Sequence, residues 1–579
     1  MQSSKINWLS WSKEAFEKSK SENKPILLSI SATWCHWCHV MDHDSYDNKD
    51  VSEFINESFI PVRVDTDKRP DINERYNQGG WPSTVFLDEN GQIITGATYV
   101  PAYDFLSMLG QISEFYKHRK NDILGKLTTV KTLQTTKKGE LSDEIISSVS
   151  KMLLESFDVS YGGFGFEPKF PMPETIELCL TNFLKTGANE PTPEASKHTS
   201  VSAGRQSLRM TTITLDSMAF LQDKIEGGFF RYSVTRDWEV PHFEKMLEGN
   251  AGIIRNYLLA YNLTKKEIYK TIALHALNYI KNNLRGENYF FASQDADEEY
   301  YKMKMEERKK AKAPFIDKTL YVNFNSMMIQ AYLKAYLVLK DKFYLEFTEK
   351  VINNIIENCL DKEGLSHTPD EKLYLLTDHA RFALALIEAY EITQNKKYLD
   401  TAEELALIML DKFFDKGEST SANDALASKH TSVKTTGSFN DISEEGEGHL
   451  KEKIKNINEN SIAAEVFLRL SVHLKKENFR KISQQALESF AGAYTNFSVH
   501  ASQYALVVEK LLHTREIHVY GIENIETLLI DPRNIVIVLS EDEAKKKGYT
   551  KKGIYLCADG LCKYFESVQD MEASKTLNM

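Results

Sequence analysis

The sequence predicts a multidomain α+β protein: an N-terminal α/β domain, a long all-helical central region and a small C-terminal α/β segment. Three observations predict it. Two cysteines with two residues between them follow an apolar run near the N-terminus. Helical periodicity dominates from about Leu141 to Leu512. Short β-like runs return after His513. A chain of 579 residues also exceeds what one ordinary core organises, so more than one domain is expected.

The N-terminal elements follow in order. Pro25-Ile26-Leu27-Leu28-Ser29-Ile30 reads as a buried strand, and Trp34-Cys35-His36-Trp37-Cys38-His39 follows it as a strand-to-helix junction. A cysteine at a helix N-terminus meets unpaired N–H groups and the positive end of the helix dipole, which favour its thiolate. The second cysteine, one turn later, faces the first and is placed to close a disulfide. This is a thioredoxin-like layout, with Cys35 the expected exposed nucleophile and Cys38 the resolving thiol. Between the cysteines, His36 is expected to stabilise the Cys35 thiolate. Cys35, Cys38 and His39 are also candidate metal ligands, because Cys-x-x-Cys with a flanking histidine supplies soft donors. Ile60 to Asp65 reads as a second strand, and Trp81 to Leu87 as a third after the Gly79-Gly80 turn. Pro82 at its entrance marks an edge or a cis turn beside the cysteine pair. Asp88-Glu89-Asn90-Gly91 is a hairpin turn, Gln92 to Gly96 the returning strand, and a helix from about Tyr103 to Tyr116 closes the domain. Ser29 stands six residues before Cys35, where many thioredoxins carry a buried carboxylate. Asp65 and Asp67 are the candidate substitutes.

The run Ser31 to Met41, the segment Asp65 to Ile72 and Gly79-Gly80-Trp81-Pro82 resemble the signature of the spermatogenesis-associated protein 20 family (DUF255). So do Gly227-Gly228-Phe229-Phe230-Arg231-Tyr232, Pro241-His242-Phe243-Glu244-Lys245-Met246 and Ser293-Gln294-Asp295-Ala296-Asp297. Asn323-Phe324-Asn325 and Asn458-Glu459-Asn460-Ser461 are similar to later motifs of that family. The resemblance implies a thioredoxin-like domain fused to an (α/α)6 toroid of the six-hairpin glycosidase and epimerase kind. The chain departs from the pattern before Gly79, which looks shortened, and after Asp297, where a charged run, Lys302 to Lys312, stands.

Candidate helices in the central region include Glu174–Leu184, Leu208–Leu221, Asn250–Leu263, Lys266–Asn282, Ser326–Lys340, Asp378–Ile392, Tyr398–Phe413 and Ser461–Lys475. Six helical hairpins close such a barrel. The expected domains are 1–125, 126–512 and 513–579. If the motif loops share one mouth, His242 and Glu244 are candidate proton-transfer residues, and Tyr232, Arg231, Trp238, Asp295 and Asp297 candidate substrate-binding residues. Cys557 and Cys562 are spaced for a disulfide or a metal. Cys179 and Cys359 read as core residues. Ala195-Ser196-Lys197-His198-Thr199-Ser200-Val201 recurs as Ala427-Ser428-Lys429-His430-Thr431-Ser432-Val433, and both copies read as polar insertions.

The net charge of −12 argues against general binding to nucleic acid or anionic membranes. Met1 to Trp8 lacks a signal-peptide core, and no run approaches about 18 apolar residues. Six cysteines in such a length make no disulfide framework, so the cytoplasm is the expected compartment. No cofactor is implied. The expected partners are a small molecule in the toroid or a thiol protein. The expected function is thiol–disulfide chemistry at Cys35 and Cys38, the alternatives being a carbohydrate-active isomerase, epimerase or hydrolase in the toroid, or a metal-binding protein without catalysis.

Overall fold

The computed structural model describes residues 6–123, 136–186, 199–415, 437–558 and 561–575. The chain divides into two compact units. The first comprises 1–134 with two later segments, 293–317 and 441–454; the second comprises 135–292, 318–440 and 455–579. Two pieces of the expected 126–512 domain thus group with the N-terminal unit, and the segment after 512 groups with the helical one. The repeat copy at 427–433, and residues 195–198 of the other, lie outside the described residues.

The first unit runs α1 (Lys13–Glu22), β1 (Ile26–Ser31), α2 (His36–Met41), α3 (Lys49–Ser58), β2 (Ile60–Asp65), α4 (Pro70–Tyr76), β3 (Ser83–Leu87), β4 (Ile93–Ala97) and α5 (Ala102–Ile123). The sheet order is β2-β1-β3-β4, with β1 parallel to β2 and antiparallel to β3. Helices cover both faces, so β3 and all of β1 but its last residue, Ser31, are buried, and the two strands do not alternate buried and exposed positions. Leu27, Phe86, Ile55, Phe59, Phe105 and Leu109 form one core cluster on one face, each contributing about 1.5–3 kcal/mol by leaving water. Capping residues set the helix starts: Ser12 caps α1, Asn48 caps α3, and Pro70 occupies the first turn of α4.

The segment 441–454 is fastened to this unit by a buried ion pair. Arg75 donates to both carboxylate oxygens of Asp441, at 2.7 and 3.3 Å, and to the carbonyls of His449 and Glu452. Gly91 and Gly448 meet backbone to backbone; a Cβ on Gly91 would stand 2.5 Å from the Gly448 Cα, and both residues have positive φ.

The second unit is a closed ring of helical hairpins. Its helices are α6 (Asp143–Ser156), α7 (Pro173–Thr186), α8 (Thr199–Met218), α9 (Leu247–Thr264), α10 (Glu267–Asn283), α11 (Val322–Leu339), α12 (Lys342–Cys359), α13 (Leu376–Thr393), α14 (Lys396–Lys412), α15 (Ile457–Leu474), α16 (Glu477–Glu488) and α17 (Ser502–Leu512). The inner helices α7, α9, α11, α13, α15 and α17 each pack on the next, and α17 returns to α7. The outer helices α8, α10, α12, α14 and α16 each follow their inner partner, and α6 packs on α17. This is the (α/α)6 toroid.

One device recurs at the start of four inner helices. The fourth residue of α9, Asn250, accepts from Phe229 N at 2.7 Å and donates to the carbonyls of Phe229 and Met246. Asn325 of α11 treats Phe290 and Tyr321 the same way, and Asn460 of α15 treats Phe439 and Asn456 the same way. In α13 the position is His379, whose Nε2 accepts from Leu365 N at 2.9 Å while Nδ1 donates to the Leu375 carbonyl at 2.7 Å. All four side chains are buried. A buried backbone group without a partner costs about 1–3 kcal/mol, so each side chain fixes the loop that enters its helix. The clamped Phe229, Phe290 and Phe439 then pack on Tyr257, Tyr332 and Phe467, each seven residues after the clamp.

The C-terminal segment is β5 (Arg515–Tyr520), α18 (Glu526–Ile530), β6 (Asn534–Leu539), α19 (Glu541–Lys546), β7 (Gly553–Ala558), β8 (Leu561–Phe565) and α20 (Val568–Lys575). Its α18 and β6 lie against α11 and α13 of the ring. Lys334 of α11 donates to the Ile530 carbonyl at 2.9 Å, and burial pushes its ammonium down to about 8. Among the described residues no helix is long and apolar enough to cross a membrane.

Two predictions follow from the clamps. Asn250→Ala, Asn325→Ala or Asn460→Ala should destabilise the helical unit by about 1–3 kcal/mol for each backbone group left unpaired, read by urea unfolding. Burial holds the His379 imidazole down to about 4, so it stays neutral in the folded state. The unfolded chain binds that proton at ordinary histidine pH and the folded chain does not. Stability from this group is therefore full above about 6.5 and falls by up to about 3 kcal/mol as pH drops toward 4. His379→Asn, the residue of the sister helices, should keep the fold at pH 7 and flatten this acid slope; an unchanged slope would contradict the assignment.

Candidate functional site

Cys35 and Cys38 are joined as a disulfide, with Cα atoms 5.2 Å apart. Cys35 is the N-cap of α2, and its sulfur accepts the Cys38 N–H at 3.1 Å. The backbone before it is held by carboxylates from the end of β2. Asp65 accepts from the Thr33 N–H and hydroxyl, each at 3.1 Å, and Asp67 accepts from the Trp34 indole at 2.7 Å. Both aspartates therefore position the cysteine loop. Burial raises the Asp65 carboxyl, against backbone N–H groups of Lys68 and Asp67 that favour its charge. The Trp34 ring meets Trp81 edge-on, with centroids 5.5 Å apart, and the Trp81–Pro82 bond is cis, as expected from the sequence.

Two features differ from expectation. Cys35 is not exposed: both sulfur-bearing residues are only 4% accessible. The accessible groups are His36 and, 47% exposed, Trp37, which packs on Tyr99. Nor does His39 join the cysteines as a metal ligand set among the described residues. Its Nε2 is 2.9 Å from Asp295 Oδ2, on the segment 293–317 of the same unit. The hydrogen bond to Asp295 raises the His39 imidazole above its ordinary value. In that segment Ser293–Gln294 pairs antiparallel with Ile316–Asp317, and Asp297 caps the short helix Glu298–Lys302. The strap is thus tied to the helix that carries Cys38.

In the second unit, His242 and Glu244 do meet. His242 Nδ1 lies 2.7 and 2.9 Å from the two Glu244 oxygens, and Glu244 is buried. The His242 ring stacks on Tyr232, which stacks on Phe170, and Arg231 lies over the Tyr232 ring. The expected shared cavity is corrected in three respects. Asp295 and Asp297 belong to the first unit. Trp238 is fully buried and spends its indole N–H on the Tyr161 carbonyl. The open cavity of the ring, about 500 Å³, is lined instead by Arg231, Glu174, Glu248, Asn458, His500 and Phe170. Burial raises the Glu248 carboxyl against the pull of Arg381 and Arg231. Glu248 and His500 were missed because each sits in an unremarkable helical or loop context, and only ring closure brings them together.

Residues 1–134 match the family described as protein of unknown function, DUF255. Spermatogenesis-associated protein 20 of Homo sapiens is 33% identical over 318 residues, covering 50% of this chain and 39% of the human protein. The chain thus spans well under half the length of that relative. Thioredoxin H-type of Fagopyrum esculentum is 33% identical over 86 residues, covering 14% of this chain and 71% of the plant protein. Among solved structures, cellobiose 2-epimerase from Bacillus thermoamylovorans is 13% identical with a TM-score of 0.43, covering 64% of this chain and 100% of that one. The resemblance to the spermatogenesis-associated protein 20 family therefore holds in sequence.

The latch between His39 and Asp295 predicts a titration. His39 should titrate above 6.5 in the intact chain, and Asp295→Asn should lower it. The charged pair is present below the unfolded value and is lost as pH rises through the raised one. NMR of the His39 ring checks this; an unmoved midpoint in the variant would refute the latch.

Proposed function

We propose that this chain carries out thiol–disulfide exchange at Cys35 and Cys38, a reading supported by the similarity of its N-terminal region to Thioredoxin H-type. The observation that carries the reading is the Cys38 N–H donated to the Cys35 sulfur at the helix N-cap. That donor and the helix dipole stabilise negative charge on Cys35. In the reduced state the Cys35 thiolate attacks one sulfur of a substrate disulfide. The substrate S–S bond breaks, and its other sulfur leaves as a thiolate that takes a proton from water. Cys38, deprotonated in turn, attacks Cys35 in the mixed disulfide and expels the second substrate thiolate. The substrate is reduced by two electrons, and the protein ends in the disulfide state seen here. Exposed His36 and Trp37 lie between the two cysteines and supply a surface for a thiol partner. Cys38→Ser should trap the substrate on Cys35, and Cys35→Ser should abolish exchange. Insulin reduction and mass spectrometry read both; activity retained in Cys35→Ser would overturn the reading.

The cavity of the ring supports a second reading for that unit, a small polar ligand of carbohydrate class. Arg231, Glu174, Glu248 and Asn458 offer donors and acceptors for hydroxyls, and Phe170 an apolar face. Calorimetry against a panel of free mono- and disaccharides should show binding that Glu248→Gln weakens by at least about tenfold. No binding by any sugar would remove this reading and leave the first intact.

A further inference from the structure

The C-terminal sheet repeats the N-terminal one. Its order is β6-β5-β7-β8, with β5 parallel to β6, antiparallel to β7, and β7 antiparallel to β8. The N-terminal order β2-β1-β3-β4 has the same directions at every step. Helices fall in the same places, with α18 between the first two strands, α19 before the third and α20 after the last. The segment therefore has the thioredoxin topology. Where the N-terminal unit carries its cysteines after β1, this one has none; its cysteines lie across the last hairpin. Cys557 of β7 and Cys562 of β8 are directly opposed in register and joined as a disulfide.

The surroundings of this disulfide are built for exchange. Cys562 is exposed while Cys557 is buried, so an incoming thiolate reaches one sulfur and not the other. The Tyr549 hydroxyl lies 3.4 Å from Cys557 Sγ and 3.3 Å from Cys562 Sγ. His518, itself buried, places Nδ1 2.7 Å from that hydroxyl and 3.5 Å from Cys557 Sγ. A purely structural disulfide needs no such groups. The hairpin lies at a cavity of about 840 Å³ whose lining carries more cations than anions: Arg480, Lys547 and Lys563 stand among its residues, Arg515 and Arg533 are paired with Asp531, and Glu477, Glu509 and Glu516 are its carboxylates.

We propose that Cys557–Cys562 is a second exchange site, one that takes anionic low-molecular-weight thiols. The thiolate of the small molecule attacks Cys562 Sγ. The Cys557–Cys562 bond breaks, and its electron pair leaves on Cys557 Sγ. The Tyr549 hydroxyl donates to that thiolate, and His518 is in place to receive or return the proton through it. The product is a mixed disulfide on Cys562. A second molecule of the thiol attacks the small-molecule sulfur of that bond, leaving both cysteines reduced and one small-molecule disulfide. The reductant is thus the small thiol, two equivalents per turn. Its carboxylates meet the cationic lining, which raises the local concentration of an anion and its rate of approach.

The test uses the full chain carrying Cys35→Ser and Cys38→Ser, so that failure at the first site cannot mimic failure here. Cys179 and Cys359 are silent, since burial pushes both thiols up to about 12. Glutathione is the anionic probe and 2-mercaptoethanol the neutral one, with mass spectrometry reading the adduct. Opening by glutathione should be at least about tenfold faster per thiolate than by the neutral thiol, with the first adduct on Cys562. Lys547→Ala with Lys563→Ala, both at exposed positions, should erase that preference and leave the neutral rate unchanged. Tyr549→Phe should slow both thiols alike. A disulfide that resists glutathione in the folded chain, an adduct on Cys557, or equal rates for the two thiols would overturn the proposal. So would capture of one zinc ion by His518 and the reduced pair that blocks reoxidation.

Discussion

A helical hairpin can join a closed ring only if the loop entering its inner helix buries no unpaired backbone group. Asn250, Asn325, His379 and Asn460 meet that demand from the same turn of four inner helices. Each accepts one N–H and donates to one or two carbonyls, so the loop has one low-energy path into the ring. The Phe side chains held by three of these clamps pack on aromatic rings about two turns further along the inner helices. Residues that would not otherwise converge, such as Arg231 before α9 and Asn458 within α15, consequently reach a single cavity. The inner helices are also buried on nearly every side, which leaves charged groups inside the ring needing partners. Arg469 pairs with both Glu391 and Glu465, and Lys510 completes the set.

The first unit applies the same economy at its cysteine loop. Asp65 and Asp67 occupy the end of β2, beside the end of β1, because the two strands are parallel and in register from Ile26 with Ile60 to Ser31 with Asp65. That register carries the two carboxylates to the Thr33 and Trp34 groups just before Cys35. The carboxylates hold the loop, and the loop presents Cys35 as the N-cap of α2, where its sulfur accepts the Cys38 N–H. His39, one residue past Cys38, is then engaged by Asp295 on a strap drawn from far along the chain.

The two four-stranded sheets show how one topology places cysteines in different chemical settings. After a first strand, a cysteine sits in the field of a helix N-terminus, with backbone N–H groups as its acidifying partners. Across the terminal hairpin the groups beside the sulfurs are side chains, Tyr549 and His518. Those side chains come from a loop after α19 and from β5, positions that only the folded sheet brings to the hairpin.

The sequence alone determined the elements whose signals are local. The cysteine pair at a strand-to-helix junction, the cis Trp81–Pro82 bond, the helical hairpins and three of the C-terminal strands were all legible, because apolar periodicity, turn residues and short-range spacing act within a few residues. So was the closeness of His242 and Glu244, two positions apart in the chain. What only the tertiary structure decided depends on groups remote in sequence. His39 and Asp295 are 256 residues apart; Glu248 and His500 share a cavity because the ring closes; Trp238 is core rather than a binding platform because a carbonyl at Tyr161 takes its N–H. Burial and the pairing of polar groups are properties of the closed fold, set by which surfaces meet. A linear pattern records that a residue is polar or aromatic, whereas the assembled neighbours decide whether it faces water, a cavity or a partner that has already satisfied it.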